Sequence, residues 1–427
     1  MSKKNELESY EALLDENPNV KKILTPDMAK FMFGASKMTV GHLQDLWSGN
    51  LRKNIKLYKK HGSLRDAFLG FGTNKAVIGV GAGPSFNLNK NTLMEVYRNN
   101  LMFPLEKQPI IIIATNKQFK TLINMGIYPH FTVLMDAGDA LYPQLCKGIN
   151  DFAKKSILIT GLHASPKIIK EWDRQGGEIC FYLIGPDEDK QYFKKKTGED
   201  PDRIHIEEGA NVLNTLWILS NSVLGSSVYM TVGNDLSFPY SKSLNERRKG
   251  FYSDGDYSLH LKNKHDDAKD EIGWMGLNNV HMSEFDEKQL VYDLDPVGVS
   301  RQFWTYKIWM ETQVAIWYEK VPFQFYNCSE AGIMGVLAKD LNGGDERMKD
   351  KSNWYLMDEI CPKAWRTRTL EHAVREFLEA KYWLEQKEKR GTLTGAEFVI
   401  RPEAGTNIVK HIVQSEKERL TRFGLTL

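Results

Sequence analysis

Between residues 76 and 232 the chain carries six short runs that are apolar along nearly their whole length: Ala76–Val80, Ile110–Ala114, Phe131–Met135, Ser156–Thr160, Cys180–Ile184 and Ser227–Val232. A strand with no polar alternation has no face to give to water, so it is buried on both sides, as in a parallel sheet covered by helices. Segments with helical character lie between the runs, among them Lys117–Met125 and Asn211–Leu224. This rhythm predicts right-handed βαβ crossovers. The fold expected from about Lys75 to about Pro239 is therefore an α/β, Rossmann-like, doubly wound and mostly parallel sheet, with helical N- and C-terminal extensions. Ligands of such sheets bind beyond the carboxyl ends of the strands.

The 427 residues are enough for two or three units, and four segments are expected. Residues 1–70 form a helical N-terminal extension, in which Thr25 caps a helix opened by Pro26 and a second helix runs from Val40 to His61. Residues 71–240 form the Rossmann-like nucleotide-binding domain. Residues 241–335 hold a polar excursion from Tyr240 to Asp295, including Asp254-Gly255-Asp256 and His265-Asp266-Asp267. A helix at Arg301–Trp317 and a strand at Val321–Tyr326 then complete the core. Residues 336–427 are expected to be helical, with a strong amphipathic helix from Thr369 to Lys389.

Composition narrows the function classes. The chain has 57 basic and 55 acidic residues, a net charge of +2, so no global field draws nucleic acid or an anionic membrane. The local basic clusters Lys194–Lys196 and Arg247–Lys249 read as solvated surface. Cys146, Cys180, Cys328 and Cys361 form no C-x-x-C pair, which signals neither zinc nor redox chemistry. Met1–Glu6 is polar with no apolar stretch behind it, and no run approaches the roughly 20 residues of a membrane span. A cytoplasmic protein with no membrane span is expected.

The chemistry-bearing motifs all follow strands. Gly79-Val80-Gly81-Ala82-Gly83-Pro84-Ser85 leaves the first run. Its glycines permit close backbone approach to an anion, its N–H groups can face phosphate oxygens, and Ser85 adds a hydroxyl. The spacing is neither the dinucleotide fingerprint nor a P-loop. Asp136 and Asp139 follow the third run, as candidates for a ribose contact or for holding Mg²⁺. His163 follows the fourth and is a candidate general base. Glu208-Gly209-Ala210-Asn211-Val212 opens a helix and offers a second anion site through Gly209 and Asn211. Gly233, Asn234 and Asp235 follow the sixth run, and Asn327, Ser329 and Glu330 follow the last strand, where they can close the site from the far side. Cys328 reads as a packed small residue.

Taken in order, Gly81-Ala82-Gly83-Pro84-Ser85, the block from Met125-Gly126-Ile127-Tyr128-Pro129-His130 to Asp136, Gly209-Ala210-Asn211-Val212 and Gly233-Asn234-Asp235-Leu236 resemble the MptE-like domain family over roughly residues 70–240. The family takes its name from archaeal enzymes that transfer diphosphate from ATP to 6-hydroxymethyl-7,8-dihydropterin. The same domain forms the core of motility accessory factors, which are proposed to attach nonulosonic acids to flagellin from a CMP-activated donor. Long extensions on both sides, and Trp309-Met310-Glu311 followed by Asn327–Gly332, are similar to that second branch. Departures from the pattern are Ser329 for threonine, Ala331 for glycine and Phe86 for leucine, and Asp136 with Asp139 in place of an Asp-x-Asp.

The resemblance implies a transferase that holds no tightly bound cofactor and takes a nucleotide donor, a CMP-linked sugar or ATP. On the glycosyltransferase reading Gly81, Gly83 and Ser85 hold phosphate and ribose, Asp235 and Asn327 orient donor or acceptor, and His163 or Glu330 accepts a proton. On the diphosphokinase reading Mg²⁺ bridges the phosphates through Asp136 and Asp139 or Asp235. A non-catalytic nucleotide- or sugar-binding module is the third reading. The expected partners are a nucleotide or nucleotide-sugar and a protein acceptor, with no nucleic acid.

Overall fold

The computed structural model describes residues 18–24, 26–148, 151–206, 209, 211–262, 266–269, 272–283, 289–320, 323–339 and 344–389. Thr25, Glu208, Ala210, His265, Val321, Pro322 and Met1–Glu6, singled out above, lie outside those residues.

Thirteen strands are numbered in chain order: β1 Ala76–Val80, β2 Ile110–Thr115, β3 Phe131–Leu134, β4 Ile157–Gly161, β5 Ile179–Tyr182, β6 Val228–Val232, β7 Phe238–Pro239, β8 Ile272–Met282, β9 Leu290–Val299, β10 Gln324–Asn327, β11 Val336–Ala338, β12 Trp354–Leu356 and β13 Trp365–Thr367. Eight of them form one sheet in the order β13-β10-β6-β1-β2-β3-β4-β5. Every neighbouring pair in it is parallel. The chain winds outward from β1 through β5, returns to lay β6 against the other side of β1, and continues to β10 and β13. The fold is thus α/β and doubly wound, with its switch point between β1 and β6.

Both faces of this sheet are covered, as the apolar runs require. Val77, Ile111, Ile113 and Tyr229 pack to one side with Leu216, Trp217 and Ile308, from the helices Val212–Ile218 and Arg301–Lys320. Ile78, Ile112 and Met230 pack to the other with Phe86, Leu93, Leu370 and Phe377, from the helices Phe86–Asn100 and Leu370–Lys389. Residues one apart in a strand point to opposite faces, which is why adjacent isoleucines serve different helices.

Three features differ from the sequence expectation. Residues 336–427, expected to be helical, contain β11, β12 and the sheet-edge strand β13 before the helix Leu370–Lys389. The helices expected near Pro26 and from Val40 to His61 are one helix, Pro26–His61. Its Asn50 side chain donates to the carbonyls of Ala137 and His163, and its Asn54 side chain donates to those of Leu162 and Ala164, all at 2.9 Å. The helix thus holds the loops after β3 and β4 in place. The stretch expected to be an excursion contains β8 and β9, an antiparallel hairpin that joins β7 in a second sheet. The Leu277 amide of β8 donates to the Gly332 carbonyl at 2.8 Å and docks the hairpin on the loop after β10.

Candidate functional site

The loops leaving β1, β6 and β10 converge at the switch point, and they are joined by their own backbone. The Gly81 amide donates to the Val232 carbonyl and the Gly83 amide to the Gly233 carbonyl, each at 2.8 Å. The Ser85 amide donates to Asp235 Oδ2 at 2.8 Å, and its hydroxyl donates to Asp235 Oδ1. The Ala82 carbonyl accepts from the Ser253 amide at 2.8 Å. This corrects the expected anion cup: the amides of Gly81, Gly83 and Ser85 and the Ser85 hydroxyl are committed to the β6 loop. The turn needs glycine for packing. A Cβ on Gly81 would lie 2.3 Å from the Gly233 carbonyl oxygen, and one on Gly83 would lie 2.7 Å from Asp235. Gly79 belongs to β1 itself, where a Cβ would strike the Tyr229 ring. Pro84 is half-buried beside Gly83.

The β6 loop turns through Gly233, at φ +64°, and Leu236, at φ +49°. Asp235 lies under it, and burial pushes its carboxyl up to about 7, against the opposing pull of the two Ser85 donors. The Asn234 amide donates to Ser329 Oγ at 3.0 Å. The Asn234 side chain is 1% exposed, and neither its Nδ2 nor its Oδ1 has a partner among the described residues. Leaving a buried polar group unpaired costs about 1–3 kcal/mol, and a native fold retains such a group where something else satisfies it.

The β10 loop completes the far wall. Asn327 Nδ2 donates to the Met334 carbonyl at 2.8 Å, and Asn327 Oδ1 accepts from the Ser329 amide at 3.3 Å. Both residues therefore brace the loop. Glu330 sits at φ +63° and accepts from the Leu370 amide at 3.3 Å. Burial pushes its carboxyl up to about 7. A Cβ on Gly332 would lie 2.3 Å from the Asp235 carbonyl oxygen. Cys328 is buried, as expected of a packed small residue, and burial pushes its thiol well above the usual range.

Other expected site residues go elsewhere. His163, after β4, is buried under the Pro26–His61 helix with its ring 5.5 Å from that of Trp47, and β4 lies three places from β1 in the sheet. That position does not suit a general base at the switch point. Asp136 Oδ2 accepts from Asn116 Nδ2 at 2.6 Å, and Asp139 accepts from the Ser165 hydroxyl. The two aspartates thus serve different neighbours. Among the described residues no group of three His, Cys, Asp or Glu side chains is arranged to hold a metal ion. Asn211 caps the Val212–Ile218 helix by accepting from the Asn214 amide at 2.7 Å. Gly209 lies against that helix, where a Cβ would come within 2.3 Å of Asn214 Cβ.

Residues 244–262 and 266–269, within the expected polar excursion, supply side chains to which the sequence reading gave no site role. Ser253 Oγ donates to Gln118 Oε1 at 3.3 Å, and Lys117 Nζ reaches Asp254 at 2.9 Å. These contacts lay the segment across the loops after β1 and β2. Behind them Tyr252 Oη meets His260 Nε2 at 2.6 Å, and His260 Nδ1 meets Asp267 Oδ2 at 3.2 Å. Arg247 donates to the Ala268 carbonyl, and Arg248 pairs with Asp266, so both half-buried cations are engaged within the segment. No periodicity marks this segment, and only its Phe251, Tyr252 and Tyr257 cluster is visible in the sequence.

The sheet, its switch point and the converging loops define a doubly wound α/β protein in which the β1, β6 and β10 loops meet at the carboxyl ends of their strands. Residues 48–241 match the family model described as 6-hydroxymethylpterin diphosphokinase MptE-like, and that segment is an MptE-like domain. The match supports a transferase-like role for it. A solved structure, the MAf glycosyltransferase from Magnetospirillum magneticum AMB-1, is similar with a TM-score of 0.42 and 16% identity over 79% of this chain. The chain covers 42% of that protein. No curated protein matches the chain. Among the described residues no helix is long and apolar enough to cross a membrane.

Proposed function

We propose that the crevice between the β1, β6 and β10 loops receives the nucleotide of an activated donor, and that the protein transfers the group this donor carries. The donor best supported is a CMP-linked nonulosonic, sialic-type acid, which makes the protein a glycosyltransferase-type enzyme with a protein as its acceptor. The observation that carries this reading is the Asn234 carboxamide, which is buried at the switch point with one donor and one acceptor unpaired. A carboxamide of this kind is complementary to the paired donor and acceptor on a nucleobase edge, adenine as well as cytosine, so it supports a nucleotide, and the resemblance to the motility accessory factors supports CMP over ATP. The β1 and β6 loops are closed on each other by the Gly81, Gly83 and Ser85 bonds.

A thermal-shift series tests it. Stabilisation by millimolar CMP or CDP without metal is the expected result, because a ligand of the folded state raises stability with the logarithm of its concentration. Asn234→Ala is expected to fold as stably as the parent, since its amide atoms have no partner to lose, and to lose the CMP response. An Asn234→Ala variant that responds like the parent removes the crevice assignment. Stabilisation by an ATP analogue only with Mg²⁺ replaces the reading with diphosphate transfer. Silence to every nucleotide leaves a binding module without transfer chemistry.

A further inference from the structure

We infer that Tyr252, His260 and Asp267 form a proton relay at the crevice mouth, with Tyr252 taking the proton of the acceptor hydroxyl. This rests on the transferase reading and supplies the base that reading lacks. Both Asp235 oxygens are held by Ser85, Glu330 is held by the Leu370 amide, and His163 is buried under another part of the sheet.

The Asp267 carboxylate lies 3.2 Å from Nδ1 of His260, an ion-pair distance, and the relay takes the imidazole proton to be on that nitrogen. Nε2 is then the acceptor, and the Tyr252 hydroxyl donates to it at 2.6 Å. The His260 ring is fixed in that orientation by Tyr257, stacked on it at 4.7 Å and 11°, and by Phe251 at 4.9 Å. Tyr257 is in turn anchored through its hydroxyl to Asp266 at 2.9 Å. A base held by an orienting carboxylate and a rigid aromatic clamp is arranged as in hydrolase triads, with a phenol where those have a hydroxyl or thiol.

The relay also lies next to the β1 turn. Ser253, the next residue, is bonded to the Ala82 carbonyl of the β1 turn. The Lys117 ammonium lies 4.9 Å from the centre of the Tyr252 ring. Burial, with the carboxylates of Asp267 and Asp136 nearby, keeps the Tyr252 phenol in its neutral form. Tyr252 therefore hands a proton on rather than standing as a phenolate.

In the transfer step the acceptor O–H bond breaks and its proton passes to Tyr252 Oη as the phenol's own proton passes to His260 Nε2. The freed oxygen pair forms the bond to the donor's anomeric carbon. The bond from that carbon to the phosphate oxygen breaks, and the nucleotide leaves with those electrons. Asp267 stabilises the resulting imidazolium, which then returns its proton to solvent. Tyr252 is the catalytic residue here, and His260 and Asp267 are positioning and relay residues.

The test uses the full chain with CMP-linked N-acetylneuraminic acid, following CMP release, beside the CMP thermal shift. Tyr252→Phe and His260→Ala are expected to lower kcat about 10²–10⁴-fold, the usual worth of a general base, with KM and the CMP shift unchanged. Added imidazole is expected to restore His260→Ala in a saturable way, which a packing role would not produce. Three results overturn the relay while the CMP shift persists: kcat within threefold of the parent in Tyr252→Phe, no rescue of His260→Ala by imidazole, or no CMP release by the parent protein. Loss of the CMP shift in the parent instead removes the transferase reading on which the relay stands.

Discussion

Ser85 and Asp235, 150 residues apart in the chain, are joined twice, by the Ser85 amide to Oδ2 at 2.8 Å and by the Ser85 hydroxyl to Oδ1. The bond pair ties the loop after β1 to the loop after β6 and occupies both oxygens of the buried carboxylate.

That carboxylate carries a pH signature. Asp235 is raised from 3.8 to about 7 by burial, so the folded chain binds its proton more tightly than the unfolded chain. Its contribution to stability is full below pH 3.8 and is lost as pH rises through about 7. The stability difference between the parent and Asp235→Asn is therefore expected to shrink from pH 4 to pH 8 when measured by urea unfolding. Glu330 has the same sign but is common to both proteins and drops out of the difference. A gap that stays constant with pH would show that Asp235 titrates alike in both states.

The turn glycines separate packing from ligand binding. Gly83→Ala places a Cβ 2.7 Å from Asp235 and 2.8 Å from the Gly233 carbonyl, whereas Gly138→Ala enters open space at an ordinary φ of −86°. The first change is expected to lose about 1–3 kcal/mol as overpacking. The second is expected to be neutral or slightly stabilising. Equal midpoints for the two variants in urea would mean that the β1 and β6 loops are not packed on each other.

A buried ion pair gives a third prediction. Lys307 and Glu311 are both 0% exposed, with Lys307 Nζ 2.6 Å from Glu311 Oε1, and that oxygen also accepts from the Gly335 amide at 2.8 Å. Lys307→Met strands a carboxylate and is expected to cost about 3–5 kcal/mol. Lys307→Met with Glu311→Leu is expected to recover most of that loss. A double variant no more stable than the single one, in urea unfolding, would show that the pair's main role lies in holding Gly335.

The six strands of the core were legible because each is an unbroken apolar run, and such a run has one stable environment. β10 was legible too, as the strand read at Val321–Tyr326, while β13 and the second sheet were harder to read. β13 is three residues long with Arg366 at its centre, and in the β8–β9 hairpin the short buried run Trp274–Leu277 is followed by Asn278, His281 and Asp293 on exposed positions. The converging loops were legible as motifs after strands, but the fate of their amides was not. A glycine reveals that its backbone has room, while the carbonyl that fills the room comes from Gly233, far along the chain. His163 misled for the same reason, since nothing near it in sequence announces Trp47. The Tyr252–His260–Asp267 relay lies in a stretch without periodicity, where only side-chain geometry joins the three.

The strand order also bears on how the protein is made. β1 is the middle of the sheet, yet its neighbour β6 begins only at Val228, and the last edge, β13, only at Trp365. While the ribosome adds the residues between, one rim of β1 stands open to other chains, and unpaired rims of this kind recruit strands from neighbours. The β6 side of β1 therefore stays unpaired until residue 228 has emerged, and the β10 edge until residue 365 has.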